Sequence, residues 1–285
     1  MANIRLSAFA DEYSPILDEQ LEVLSREGFS YLEPRAVDGK NISDLNDDEV
    51  RIMKQKLDAS GIAVDSIGSP LGKIKLSDDF PAHLDKTRRT CEIACALGAK
   101  RVRVFSFFLD GKSVFEAREQ VIDQLGQMLD VADRYGLTFC HENEANIFGE
   151  SPENCLELLK AFDGRLSCVF DMGNFVFCNY YPYPKAYHML KPYIEYFHIK
   201  DSFPNKAVVP PGCGEAQIST ILTDFVKDAK QDMVLTLEPH LHAFVGLKQL
   251  TDNGIAQPYS YPTGKDAFLD AAHRLKAIVA EIEKE

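Results

Sequence analysis

The chain has 285 residues, 45% of them hydrophobic and 26% charged, with a formal net charge of −13. That acidity opposes a nucleic-acid or anionic-membrane partner, either of which selects basic surface. The length exceeds a usual domain, yet one α/β barrel of about 250 residues with loop insertions accommodates it.

In chain order, eight short apolar runs read as strands: 4–9, 31–33, 62–67, 102–105, 138–142, 168–171, 196–199 and 234–238. Most are rich in Val, Ile, Leu, Phe or Tyr, as strands buried on both faces should be. Amphipathic stretches separate them. Residues 15–27 carry Ile16, Leu17, Leu21 and Leu24 on one side, and 114–135 carries Val121, Ile122, Leu125, Met128, Leu129 and Ala132 at helical spacing. Gly28, Gly61, Gly98 and Gly136 stand just before the next strand, where a helix ends. Ser151-Pro152 and Tyr183-Pro184 have the look of helix starts. Eight alternating β and α units imply a parallel sheet closed into a single (β/α)8 TIM barrel, with the active site at the C-terminal ends of the strands. No composition break divides 1–285, so one domain is expected.

Two long segments interrupt the pattern. Residues 201–214 are rich in Pro and Gly, and 239–265 contain QPYSYPTG. Loops of such length are usually functional, and these follow strands seven and eight, so a lid or substrate wall is expected. The N-terminal MANIRLSAFADEYS lacks the apolar stretch and cleavage site of a secretory signal, and no apolar run reaches the ~18 residues of a transmembrane helix. The seven cysteines form no CxxC pair; Cys95, Cys140 and Cys168 fall within predicted elements. They read as free, mostly buried thiols of a cytoplasmic protein.

Four of the runs end on a residue able to bind metal: Glu142, Asp171, His198 and Glu238, separated by 29, 27 and 40 residues. A strand, loop, helix and return loop take about 25–40 residues, so the candidates recur once per βα unit. Singly, each has an ordinary explanation: a polar strand end at Glu142, an N-cap or turn at Asp171, a core histidine at His198. A Glu at a buried strand end such as Glu238 needs a partner. Together at one end of four successive parallel strands they converge. Two Glu, one Asp and one His suit one divalent metal ion such as Mn, Mg, Co or Zn. Such an ion with open positions takes two substrate oxygens and stabilises an enediolate, while a carboxylate beside it removes or returns a proton. Glu142 and Glu238 are the candidate acid/base pair, and the chemistry is isomerisation or epimerisation.

The motifs YLEPR (31–35), HENEANIFGE (141–150), DMGNFV (171–176), HIKD (198–201), PPGCGE (210–215) and LEPH (237–240) resemble those of the sugar phosphate isomerase/epimerase family of xylose-isomerase-like TIM barrels. That family also includes ketose 3-epimerases, hydroxypyruvate isomerases and inosose dehydratases. The resemblance spans nearly the whole chain. It implies metal binding by Glu142, Asp171, His198 and Glu238, with the two glutamates as acid/base pair. It also implies substrate contacts at Glu33 and Lys200, with His240 and Glu144 beside them. The expected partner is a small-molecule carbohydrate, with a homo-oligomer as one allowed state.

Departures narrow the choice within the family. Asn174 stands where ketose 3-epimerases usually carry a His, and Lys206 is the one basic residue before the Pro-Gly turn, where they have an Arg. Both oppose a free-ketohexose 3-epimerase. No Gly-rich anion loop is present. The alternative reaction is a dehydratase or lyase that expels a β-hydroxyl from the same enolate of a keto-sugar or keto-inositol. Endonuclease IV, with more histidines and a DNA partner, fits the acidic chain poorly, as does a barrel used for binding alone. Arg101 and Arg103 alternate with Val102 and Val104 in the fourth strand, which aims one of them at the barrel interior or the substrate, or equally into a buried ion pair with an Asp or Glu of a neighbouring strand. Phe105, Phe107 and Phe108 wall the pocket or fill the core; Tyr180, Tyr181 and Tyr183 stack on a sugar or fill a contact.

Overall fold

The computed structural model describes residues 3–228, 232–242 and 258–284. Eight parallel strands form the sheet: β1 (Ile4–Ala8), β2 (Tyr31–Leu32), β3 (Ser66–Ile67), β4 (Arg101–Val104), β5 (Thr138–Glu142), β6 (Leu166–Asp171), β7 (Ile194–Ile199) and β8 (Met233–Leu237). Their spatial order is β2-β1-β8-β7-β6-β5-β4-β3. A parallel bridge between Tyr31 and Ala63 links the two ends. The Leu32 N–H donates to the Ala63 carbonyl at 2.9 Å and the Ala63 N–H to Ser30 at 3.1 Å. The result is the (β/α)8 barrel that the spacing predicts.

The helical layer follows the amphipathic pattern. It includes α1 (Leu17–Arg26), α2 (Asp47–Ser60), α3 (Phe80–Leu97), α4 (Val114–Tyr135), α5 (Pro152–Ala161), α6 (Met172–Phe177), α7 (Tyr187–Leu190), α8 (Ile218–Asp228) and α9 (Gly264–Ile282). Ser113 caps α4, and Glu116 reaches back to the Ser113 N–H, which satisfies two otherwise orphaned donors. The same helix ends on Gly136 at φ 65°, a left-handed conformation that glycine adopts without strain. Ser151 caps α5 with Pro152 in its first turn, as predicted. Tyr183 has the extended dihedrals of an N-cap (φ −126°, ψ 141°) before Pro184, and the irregular turn that follows leads into α7 at Tyr187. None of the helices of the described residues is long and apolar enough to cross a membrane.

Two facts of the core position the site. Outward-facing Phe170 and Phe197 pack with Phe175, Tyr187 and Phe225 in the helical layer. Inside the barrel, Cys140, Val169, Tyr196 and Val234 form a separate apolar cluster with Tyr31 against it. Side chains alternate along a strand, so residues two positions later share the inward side. Those are Glu142, Asp171, His198 and Thr236, and two further on from Thr236 comes Glu238. The seven cysteines are unpaired; Cys91, Cys140, Cys155 and Cys168 are buried, whereas Cys95 is exposed on α3.

Candidate metal centre

Glu142, Asp171, His198 and Glu238 each present a ligand atom within 4.8 Å of the others, and all four are buried. The His198 Nδ1 atom lies 2.9 Å from Glu142 Oε1 and 3.2 Å from Glu238 Oε2. One oxygen of each carboxylate is buried without a hydrogen-bond donor: Glu142 Oε2, Asp171 Oδ2 and Glu238 Oε2. Cations approach these atoms at 3.2–3.3 Å, Arg103 on the first and Lys200 on the other two, without hydrogen-bond geometry. Buried carboxylate oxygens seldom go unsatisfied. Three such carboxylates grouped with one imidazole are the donor set a divalent cation selects, so the residues fit the ion that the sequence implies.

Local structure holds the ligands in place. The Asn143 side chain clasps the Asp171 backbone, donating to its carbonyl at 2.9 Å and accepting from its N–H at 3.1 Å. Asp171 Oδ1 caps α6 by accepting the Asn174 N–H at 2.8 Å, which leaves Oδ2 facing the centre. Gly173 is required next: a Cβ there would stand 2.6 Å from the Lys200 carbonyl. Asn174 donates to Glu142 Oε1 at 3.4 Å and accepts from Lys200 at 3.1 Å.

The other predicted residues occupy distinct positions. Glu33 lies deep in the barrel, 1% exposed, with Oε1 accepting from Tyr196 at 2.9 Å and Ser66 at 3.3 Å, and Oε2 from Thr236 at 2.7 Å. Its Oε1 also lies 3.4 Å from His198 Nε2. Lys200 bridges Asp171 and Glu238. His240 Nε2 stands 3.2 Å from Glu238 Oε1 and 3.6 Å from Glu12. Glu144 sits at the rim, paired with Lys73 at 2.9 Å.

Three residues of the site go unnamed as site residues by sequence reasoning. Arg35 reaches Glu238 at 3.0 Å and is gripped by Asp11 and Glu12 at 3.0 and 3.2 Å. Its signal was the period of two from Glu33. Lys73, on the segment after β3, lies 4.3 Å from the Phe105 ring, and Asn143 follows Glu142; neither residue type advertises its role. Arg103 stands beside Glu142 and Glu238, whereas Arg101, two residues earlier on β4, is taken up in ion pairs with Asp65 and Glu195 away from the centre. Phe105 faces the centre, while Phe107 packs on Phe80 and His83 in the core.

Electrostatics follow from burial among mixed charges. Burial lifts Asp171 to about 7 against the pull of Lys200. Burial opposes the charged form of His198, but Glu142 and Glu33 outweigh it and hold the ring well above its usual range. Burial likewise opposes Glu238, yet Lys200 and His240 hold it well below the carboxylate range. Glu144 falls to about 2 because Lys73 and Lys200 overcome its desolvation. Burial raises Glu12 to about 8 despite Arg35, and lowers His240 to about 3.

The segment after β7 is tied down. Residues 201–202 and 208–209 pair as an antiparallel hairpin. Both oxygens of Asp201 accept backbone N–H bonds, from Ser202, Gly212, Gly214 and Ala216 at 2.9–3.0 Å. Of the second long segment, 243–257 lie outside the described residues.

The sequence profile of the xylose isomerase-like TIM barrel family matches residues 21–257. The chain belongs to this family. Among curated proteins, no sequence matches it. Among solved structures, this xylose isomerase-like barrel resembles the IOLI protein with a binding zinc atom, at TM-score 0.74 and 16% identity over 98% of this chain and 99% of the other. It resembles the probable 3-DHS dehydratase AsbF from Bacillus anthracis at TM-score 0.74 and 16% identity over 97% and 98%. It also resembles the D-allulose 3-epimerase from Methylomonas sp. in complex with D-allulose, at TM-score 0.73 and 15% identity over 98% of both chains. At such identities the likeness concerns the fold.

Proposed function

We propose that this barrel is a divalent-metal-dependent isomerase or epimerase of a sugar or sugar derivative, acting by proton transfer through an enediolate. The observation that carries the reading is the buried carboxylate oxygen without a donor on each of Glu142, Asp171 and Glu238, in a group whose ligand atoms, with that of His198, lie within 4.8 Å of one another. Glu142, Asp171, His198 and Glu238 would hold the ion. When bound, it would chelate a keto and a hydroxyl oxygen and stabilise the charge of the enediolate.

The protein's own groups supply the rest. Glu142 on β5 and the residue after β8, Glu238, stand on either side of Asp171 and His198 in the strand order. One carboxylate takes the proton from the carbon beside the carbonyl, and the other returns a proton to the neighbouring carbon or to the opposite face. Lys200 and Arg35 keep Glu238 ionised, the form able to accept a proton. Asn174 orients Glu142. Glu33 orients the His198 ring rather than reaching substrate, since hydroxyl donors and the ring surround its carboxylate. Glu144 with Lys73 at the rim is the position for a substrate hydroxyl contact, and His240 steadies Glu238.

The test is metal analysis followed by NMR of 2-keto sugars in D2O. Metal-loaded protein should carry about one divalent ion per chain and exchange a carbon-bound proton for deuterium. Glu142→Gln and Glu238→Gln should each slow exchange about 10²–10⁴-fold, more than they weaken substrate binding. Full activity in metal-stripped protein would refute the reading, and release of water in place of exchange would assign the lyase alternative.

A further inference from the structure

We propose that Arg103, assisted by Lys200, receives a carboxylate of the substrate, so that the molecule handled at this centre is an acidic keto-sugar derivative rather than a neutral sugar. The inference rests on the metal reading above and deepens it. Arg103 belongs to β4, which contributes none of the four candidate ligands. Its side chain is 5% exposed, and its guanidinium lies 4.8 Å from the Phe105 ring centre and 5.0 Å from that of Phe9.

A guanidinium offers five N–H donors. Arg103 donates from Nη2 to the Ser69 carbonyl at 3.2 Å. Its Nε has no hydrogen-bond partner. Its Nη1 stands 3.3 Å from Glu142 Oε2 and 3.9 Å from Glu238 Oε1, close enough for attraction but outside hydrogen-bond geometry. Those carboxylates are the ones a divalent ion would claim. With their charge drawn to the ion, Arg103 becomes a buried cation between two aromatic rings that keeps the attraction of Glu33 and one carbonyl as acceptor but has no acceptor for its Nε, and a buried charge with donors unmet is costly.

Lys200 shares that position. Its Nζ lies 3.2 Å from Asp171 Oδ2 and 3.3 Å from Glu238 Oε2, with Asn174 Oδ1 at 3.1 Å as the neutral acceptor. Arg35 differs, because Asp11 and Glu12 clasp it independently of Glu238. The positive charge that would lose most of its carboxylate partners to the ion therefore sits at the ends of β4 and β7, where Glu33 still acts on Arg103 and Glu144 on Lys200. A planar guanidinium with an edge left free matches a planar carboxylate through paired N–H bonds. A phosphate ester is the poorer match, since it asks for a Gly-rich or helix-N-terminal cradle that the sequence lacks.

The experiment titrates Mn²⁺-loaded protein with dihydroxyacetone, hydroxypyruvate and dihydroxyacetone phosphate. These present one keto–hydroxyl pair beside an alcohol, a carboxylate and a phosphate ester. Water-proton relaxation by the bound Mn²⁺ reads binding without turnover. Hydroxypyruvate should bind about tenfold or more tighter than dihydroxyacetone. Arg103→Met should erase that preference while Mn²⁺ still binds, and Arg103→Lys, which keeps the charge and loses the fork, should cut it several-fold. Equal binding of the three probes, no saturable binding of hydroxypyruvate, a preference for the phosphate ester, or a carboxylate preference that survives both substitutions would overturn the proposal. Each of those outcomes leaves the metal reading standing; failure of the wild type to bind Mn²⁺ strikes the metal reading and this proposal together.

Discussion

Glu33 lies behind His198, with Oε1 3.4 Å from the ring Nε2, while the opposite ring nitrogen, Nδ1, lies 2.9 Å from Glu142 Oε1. An imidazole held by a carboxylate at one nitrogen presents the other outward in a fixed direction. Glu33→Gln keeps the volume but puts an amide where Tyr196, Ser66 and Thr236 also donate. Mn²⁺ affinity should fall about 10–100-fold with the secondary structure retained. Titration followed by relaxation or calorimetry measures it, and an unchanged affinity would remove Glu33 from the positioning role.

Metal binding should register as stability. A ligand that binds only the folded state at about 100 times its dissociation constant adds about 2.7 kcal/mol. Mn²⁺ should therefore raise the melting temperature of the wild type, and a chelator should reverse the rise. Asp171→Asn preserves an oxygen to cap α6, the job Oδ1 does for the Asn174 N–H, and removes the charge at the centre. Its melting temperature should no longer respond to Mn²⁺.

Asp201 is a structural counterpart at the end of the HIKD segment. It is 1% exposed and accepts four backbone N–H bonds. In Asp201→Asn an amide donor would face backbone donors, leaving buried N–H groups without partners at a cost of about 2–4 kcal/mol. Urea denaturation of the two proteins gives the difference. A loss within error would show that the 210–216 turn holds itself.

His83 sets a pH dependence apart from the metal centre. Its Nε2 accepts the Gly72 N–H at 2.9 Å, and burial, with Lys86 nearby, lowers it from 6.5 to about 4. The folded state thus favours the neutral ring. Stability from this group is fully present above pH 6.5 and is lost as pH falls toward 4. The full swing is on the order of 3 kcal/mol, at 1.36 kcal/mol per unit. His83→Gln retains an acceptor for Gly72 and does not titrate. The stability of the wild type relative to this variant should decline between pH 6.5 and pH 4, and a constant difference would contradict the assignment.

Strands were legible because a buried parallel strand has to be short, apolar and β-branched or aromatic, and most of the eight have those properties. Helix ends at Gly61, Gly98 and Gly136 were legible because few residues tolerate the left-handed turn. The Tyr183-Pro184 start was legible because Pro suits a first turn and the residue before it an extended conformation, which Tyr183 adopts while packing on Tyr187 and His188. Cys95 marks a limit, since helical position alone does not say which face meets the sheet.

The candidate ligands were visible because strand alternation is local. From Cys140 to Glu142, Val169 to Asp171 and Tyr196 to His198, a period of two turns an apolar interior residue into a polar one at the same side of the same strand. What the sequence left undetermined is which cations share that space. Arg35 and Glu238 meet across 203 residues of chain, and Arg103 and Lys200 arrive from two other strands, β4 and the end of β7. No period or motif encodes such encounters. Closure of the barrel brings them together, and burial then makes each unpaired charge consequential. The chain's own order determined the barrel and its ring of ligand-type residues; the tertiary fold decided which positive charges surround that ring, because electrostatic partners are chosen by distance in space and not by distance along the chain.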